Sequence, residues 1–257
     1  MFYQITQYLK FLFKSTNQHG VHSPFVYELI TQCFYDKTPY PRYQNMSAYR
    51  QALIKNKSTI KITDLGGGSR TFKSNIRTIS EMAKHAGSSL FRAKLIYRLV
   101  QYFKSEHILE LGTSLGIATQ AMHFGNPEAK ITTIEGCPNL SEFTKSNFLK
   151  HQLNSINLIH DDFKNGLKGL NSTSFDFVFF DGNHQKEATL EYFATLLPAI
   201  HNDSVFIFDD IYWSKNMTEA WKLIKAHPKV TVTIDTFFWG LVFFRSEQKK
   251  EHFTIRV

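Results

Sequence analysis

The chain has 257 residues, 42% of them apolar and 24 of them phenylalanine, which suffices for one large α/β core or for a domain of usual size with an N-terminal addition. Its two cysteines, Cys33 and Cys137, exclude a disulfide framework and a thiolate metal site of the usual kind. No apolar run reaches the ~18–20 residues of a membrane span, and Lys10 and Lys14 interrupt what would be a signal-peptide core, so a cytoplasmic protein is expected.

The net charge of +8 is unevenly placed. Residues 1–107 carry 16 Lys and Arg against five acids, whereas residues 108–257 carry 14 against 17. Such a field concentrates anions over about a Debye length, ~8 Å in physiological salt. It reads equally as a solubilising surface.

In chain order, Phe2, Ile5, Leu9, Leu12 and Phe13 fall at helical spacing and predict an amphipathic opening helix. Such a helix is expected to pack on its own domain, although Lys10 and Lys14 also permit a membrane surface. His19 and His22 lack an accompanying acid or cysteine and read as structural. Residues 36–61, with Pro39 and Pro41, read as a loop-rich connection. The cluster Asp64-Leu65-Gly66-Gly67-Gly68-Ser69-Arg70 lacks G-x-G-x-x-G spacing, and Lys73 and Arg77 follow it. It is expected to be a flexible basic loop able to close over an anionic substrate. Phe91–Phe103 is amphipathic and leads into the first core strand.

From residue 107 onward strands and helices alternate, the pattern of a mostly parallel sheet covered by helices. The expected strands are His107–Leu111, Lys130–Glu135, Ile156–His160, Phe175–Phe180 and Ser204–Phe208, with helices at Pro138–Lys150 and Gln185–Leu197. Val230–Asp235 and Trp239–Arg245 are separated by too few residues for a parallel crossover. They are expected to form an antiparallel hairpin at a sheet edge.

The chemistry concentrates in two places. Glu110-Leu111-Gly112-Thr113-Ser114-Leu115-Gly116 ends a buried strand in a glycine turn, and Glu135 ends the next strand 23 residues after Gly112. Glycines let backbone N–H groups approach a ligand, and a strand-end acid accepts from ribose hydroxyls. Ser114 fills the centre that a pyrophosphate would need, and Glu110 suits a cationic ligand. S-adenosylmethionine has both properties. In the second place Asp181 follows one strand, and Asp209 and Asp210 end the next. Three such carboxylates suit a hard cation, Mg²⁺ first, unless they serve as helix N-caps. His184, three residues after Asp181, could take a proton from a substrate hydroxyl.

Together these residues resemble the class I S-adenosylmethionine-dependent methyltransferases, and within them the metal-dependent O-methyltransferases of catechol O-methyltransferase type. The resemblance covers roughly residues 105–245. It implies a Rossmann-like seven-stranded sheet with an antiparallel C-terminal hairpin over residues 106–257; the mostly helical, basic region 1–105 lies outside it and is expected to serve as a cap or in substrate recognition. It implies cofactor contacts from Glu110, Gly112, Thr113, Ser114 and Gly116, from Glu135 and Gly136 on the ribose, from Asp162 and Phe163 beside the adenine, and from Asp181. The metal ligands would be Asp181, Asp209 and Asp210. His184 stands where the family has its catalytic lysine, and Asp210 where the small catechol-type enzymes commonly have asparagine.

The expected function is Mg-dependent O-methylation of a hydroxyl on a small molecule or sugar, with Asp181 and His184 at the reacting oxygen. Two alternatives accompany it: methylation of a tRNA hydroxyl through the basic N-terminal region, and a non-catalytic binding module on a methyltransferase fold. The oligomeric state is left open, a homodimer included.

Overall fold

The structure, a computed structural model, describes residues 2–68, 72–170 and 173–257. It divides into two units, one of residues 37–170 and one of residues 1–36 with 171–257. The boundary falls inside the expected N-terminal region, which therefore contributes to both. Ser69 and Arg70 of the glycine cluster lie outside the described residues.

The first segment holds α1 (Phe2–Lys14) and α2 (Pro24–Leu29), the latter continued by a π-turn over Ile30–Phe34. Pro24 occupies the first turn of α2, where its lost N–H costs nothing, and Ser23 caps it by accepting from the Val26 N–H at 3.4 Å.

The unit of residues 37–170 begins with α3 (Arg42–Lys55). This corrects the loop expected over residues 36–61. Pro41 sits at the helix start with φ −55°, a position proline tolerates, and Met46, Tyr49 and Leu53 recur at helical spacing and are buried. A short antiparallel ladder of β1 (Thr59–Lys61) and β2 (Ile76–Thr78) follows, then α4 (Ile79–His85) and α5 (Leu90–Phe103). The core is β3 (His107–Leu111), α6 (Ile117–Gly125), β4 (Lys130–Glu135), α7 (Pro138–Lys150), β5 (Ile156–His160) and α8 (Phe163–Lys168). Parallel ladders join β3 to β4 and β4 to β5. Ile108, Leu109, Leu111, Ile131 and Ile134 are buried, the near-continuous apolar runs that a sheet covered on both faces requires.

The other unit is completed by β6 (Phe177–Phe180), α9 (Lys186–Leu196), β7 (Val205–Asp209), α10 (Lys215–Ala226), β8 (Val232–Asp235), β9 (Trp239–Phe243) and β10 (Glu251–Thr254). β6 and β7 are parallel, β9 runs antiparallel to both β7 and β8, and β10 pairs parallel with β8. The expected hairpin is therefore present as β8–β9, but it does not end the sheet of this unit, because β10 adds a strand beyond β8. Glu251-His252-Phe253-Thr254 turns only Phe253 inward, and a short charged strand suits an edge that must not recruit another chain. The phenylalanines fill this core: the Phe180 and Phe208 rings stack at 4.2 Å, and Phe179 meets Trp239 edge-on at 5.7 Å. A Cβ on Gly240 would lie 2.7 Å from the Trp221 ring, so only glycine lets that indole lie flat on β9.

α1 packs on its own unit, but not through the expected stripe. Tyr3 donates to the Thr218 hydroxyl of α10 at 2.8 Å, and Tyr8 and Phe11 meet the Phe237 ring at 4.8 and 5.6 Å. Phe2, Ile5, Leu9, Leu12 and Phe13 face solvent. No helix among the described residues is long and apolar enough to cross a membrane.

Candidate active site

The glycine turn between β3 and α6 is built by three left-handed residues, Gly112 (φ 109°), Ser114 (φ 49°) and Gly116 (φ 73°). At Gly116 the requirement is double. A Cβ there would also lie 2.4 Å from the Phe148 ring and 2.9 Å from the Tyr49 hydroxyl. The turn's carbonyls are tied down from two helices: Thr144 of α7 donates to the Ser114 carbonyl at 2.6 Å, and Tyr49 of α3 to the Leu115 carbonyl at 2.9 Å. Glu135 closes the turn from β4, accepting from the Ser114 N–H on Oε2 and the Cys137 N–H on Oε1, both at 2.9 Å. Burial pushes its pKa up, and the Cys137, Ser114 and Gly136 N–H groups oppose that shift.

Beneath the turn lies a buried network of three threonines and an acid. Thr119 and Thr133 each donate to Glu110 Oε2 at 2.6 Å, and Thr113 and Thr133 share a hydrogen bond of the same length. Glu110 is wholly buried, and desolvation pushes its pKa up to about 8 against the two threonine bonds. Its second oxygen, Oε1, is buried with no hydrogen-bond partner among the described residues. An orphaned buried carboxylate oxygen is costly, so it marks a place where a cation or donor belongs. The zwitterionic, cationic tail of S-adenosylmethionine fits that requirement. Thr113, expected to touch the cofactor, turns its hydroxyl into this network.

Gly136 follows Glu135 and adjoins the tip of Leu65, which lies 2.6 Å from where a Cβ would be. The neighbouring backbone is fixed by Asn139, which donates to the Lys61 carbonyl at 2.8 Å, and by the Thr63 N–H donating to Cys137 Sγ at 3.3 Å. The glycine cluster, expected to be a flexible basic loop, reaches the end of β4 through Leu65. Its following cation is engaged as well: Arg77 pairs with Asp64 at 3.6 Å and lies over the Phe72 ring. Asp162, expected beside the adenine, caps α8 by accepting from the Asn165 N–H at 2.9 Å and the Asn165 side chain at 2.7 Å. Phe163 is the first residue of that helix.

The second group of expected residues lies in the other unit. Asp181 directly follows β6, Asp209 closes β7, and Asp210 follows with φ 53°. None of them caps a helix, since α9 starts from Gln185 and α10 from Ser214, which accepts from the Met217 N–H at 3.1 Å. Nor do they assemble as a metal site: among the described residues no three His, Cys, Asp or Glu side chains are gathered closely enough to hold a metal ion. Successive side chains at a strand end diverge. Asp210 also starts a turn, its N–H on the Phe238 carbonyl at 2.9 Å and its carbonyl on the Trp213 N–H at 2.7 Å. The expected magnesium site is therefore not shown among the described residues. His184 is half-buried with its ring 6.1 Å from Trp213, and the turn that presents it is held by left-handed Asn183, whose amide donates to the Tyr192 hydroxyl at 2.9 Å.

Sequence reasoning overlooked Tyr49, Thr119, Thr133, Thr144 and Leu65. Two of these left a signal. Thr133 lies two residues before Glu135, hence on the same face of β4, and Thr119 is a hydroxyl within the apolar start of α6. Tyr49 left none, because the loop assigned to residues 36–61 concealed its helix.

Residues 109–211 match the sequence model of a methyltransferase-domain family. No curated protein sequence matches the chain. Among solved structures, the methyltransferase PaMTH1 of Podospora anserina, bound to S-adenosylhomocysteine, superposes with a TM-score of 0.58 at 18% identity, covering 82% of this chain and 99% of that one. An O-methyltransferase of Bacillus cereus, also with S-adenosylhomocysteine, gives 0.54 at 18% identity, covering 82% and 94%. The O-methyltransferase TomG of Streptomyces achromogenes, involved in tomaymycin synthesis and bound to S-adenosylmethionine, gives 0.55 at 17% identity, covering 62% and 82%. Residues 109–211 thus match a methyltransferase domain, and the chain has the fold of S-adenosylmethionine-dependent O-methyltransferases.

Proposed function

We propose that this methyltransferase acts on a hydroxyl oxygen of a small molecule or sugar. The observation that carries the cofactor half of the reading is the orphaned Oε1 of Glu110 beneath the glycine turn. S-adenosylmethionine, when bound, supplies a methyl group on a cationic sulfonium. Glu110 would hold the cationic end, and each Glu135 oxygen keeps a lone pair for a ribose hydroxyl beside its backbone bond. In the transfer the acceptor oxygen forms a bond to the methyl carbon, the carbon–sulfur bond breaks, and S-adenosylhomocysteine leaves. The hydroxyl proton goes to a base, for which His184 is the candidate, with Asp181 beside it in sequence as the orienting acid. Positioning dominates such a displacement, being worth ~7–11 kcal/mol against ~10²–10⁴-fold for a general base. No step is routed through a metal, since Asp181, Asp209 and Asp210 do not gather as a ligand set.

Oxygen is favoured over a base nitrogen because Asp181-Gly182-Asn183 stands where an Asn/Asp-Pro-Pro-aromatic motif would. RNA is disfavoured because several cations of the basic N-terminal region are already engaged. Arg50 donates to the Ala83 carbonyl and Arg98 to the Tyr43 hydroxyl, while Lys94 and Arg42 lie over the Tyr43 and Phe124 rings.

The test is to follow labelled methyl from S-adenosylmethionine into a small-molecule extract and into total RNA. Label on small-molecule hydroxyls is expected, and a His184→Gln variant should lose turnover while binding the cofactor normally. Label appearing only in RNA, with binding that collapses steeply as salt rises, would overturn the substrate class. Failure of the protein to bind S-adenosylmethionine in calorimetry would overturn the whole reading.

A further inference from the structure

The outer face of α1 is unexplained by the methyltransferase site. Phe2 is 85% exposed and Phe13 91%, and Ile5, Leu9 and Leu12 are exposed with them. At 100° per residue these five side chains form one stripe along a 13-residue helix about 20 Å long. The opposite face is the one anchored by Tyr3 on Thr218 and by Tyr8 and Phe11 on Phe237, so the stripe is held outward rather than left over from loose packing. Isolated exposed apolar residues need no explanation, but a contiguous, rigidly presented stripe does.

What covers it is indicated by charge. Lys10 borders the stripe on one side, Lys14 lies at the helix end towards the anchored face, and both are exposed. α10 meets α1 at the Tyr3–Thr218 hydrogen bond and carries Lys222, also exposed, and Lys225, with exposed Leu223 between them. Burial holds the Lys225 pKa down, and the charges of Lys14 and Lys222 nearby lower it further. An apolar stripe bordered by lysines matches an anionic lipid surface, where aromatic and aliphatic side chains enter the acyl boundary and lysines reach the headgroups.

We propose that the outer face of α1, with Lys222 and Lys225 of α10, is a peripheral docking surface for anionic membranes. It lies in the plane of the interface and does not cross the bilayer. Binding therefore combines apolar insertion with a salt-dependent attraction.

The experiment is vesicle flotation of the full chain with phosphatidylcholine vesicles with and without phosphatidylglycerol, at low and high salt. Binding is expected on the anionic vesicles, weakened by salt and marginal on phosphatidylcholine alone. Phe2→Ser with Phe13→Ser should abolish it. Lys10→Ala with Lys14→Ala should weaken it about fivefold per lysine. All four side chains are exposed, so melting temperature and S-adenosylmethionine affinity should be unchanged, which separates lost docking from lost folding. Absence of binding to anionic vesicles overturns the proposal, as does binding indifferent to the phenylalanine substitutions. A dimer in sedimentation that Phe2→Ser with Phe13→Ser dissolves, without vesicle binding, would assign the stripe to a second copy instead.

Discussion

On the proposed reading, Glu110 is where stability and function oppose each other. Its pKa is raised to about 8 from an unfolded value near 4.5, chiefly by desolvation. Between those values the folded chain keeps a proton that the unfolded chain has released, so the folded state loses stability as pH rises from about 4.5 to about 8. Each pH unit across that window removes ~1.4 kcal/mol, so the whole loss is on the order of a few kcal/mol. Glu110→Gln keeps an acceptor for Thr119 and Thr133 but cannot ionise. The variant should therefore melt higher than the parent at pH 8.5 and near the parent at pH 4.5, as thermal denaturation across that range would show. Its S-adenosylmethionine affinity should fall roughly 10- to 100-fold, the range for a hydrogen bond to a charged group. In the parent, calorimetry near neutral pH should record proton release on binding, because a cation beside Oε1 favours the carboxylate. A melting temperature insensitive to the substitution at high pH would contradict this account.

The elements around the glycine turn act as clamps, and each clamp has a separable test. Tyr49 reaches from α3 to the Leu115 carbonyl, and burial holds its phenol far from ionisation. Tyr49→Phe leaves that buried carbonyl without its donor, which should cost about 1–3 kcal/mol in urea denaturation. Since the turn would lose one of its two ties, cofactor affinity should fall as well, with Thr144 still holding the Ser114 carbonyl. At α8 the question is whether Asp162 does more than cap. Replacing a capping Asp by Ala costs ~1 kcal/mol, whereas Asn caps nearly as well. If Asp162 also contacts the adenine, Asp162→Asn should keep stability yet weaken S-adenosylmethionine binding. If it only caps, Asp162→Asn should match the parent in both measurements, and Asp162→Ala should lose stability alone.

At the scale of the whole molecule, the strand-end acids decide whether catalysis depends on a metal. With Asp181, Asp209 and Asp210 not gathered as ligands, turnover should survive dialysis against a chelator and gain nothing from added Mg²⁺. Chelator-sensitive activity restored by Mg²⁺ and lost in Asp209→Ala with Asp210→Ala would show that these side chains rearrange into a site on binding. The sequence by itself determined the alternation of strands and helices from residue 107, because a buried strand and an amphipathic helix have different apolar periods. β3, β4, β5 and α7 fall on their expected residues. It also determined the pairing of a glycine turn with Glu110 and Glu135, whose separation is set along the chain by one βαβ unit. Tertiary structure alone decided the rest. α3 forms against its polar, proline-led sequence because Met46, Tyr49 and Leu53 find a core to enter. β10 exists only because β8 offers it an edge. Whether neighbouring carboxylates converge depends on backbone turns such as that at Asp210, which no spacing encodes. The sequence shows α1 as an amphipathic helix, yet packing chose which face stays outside, because Tyr3 and Phe11 found partners that Phe2 and Phe13 did not.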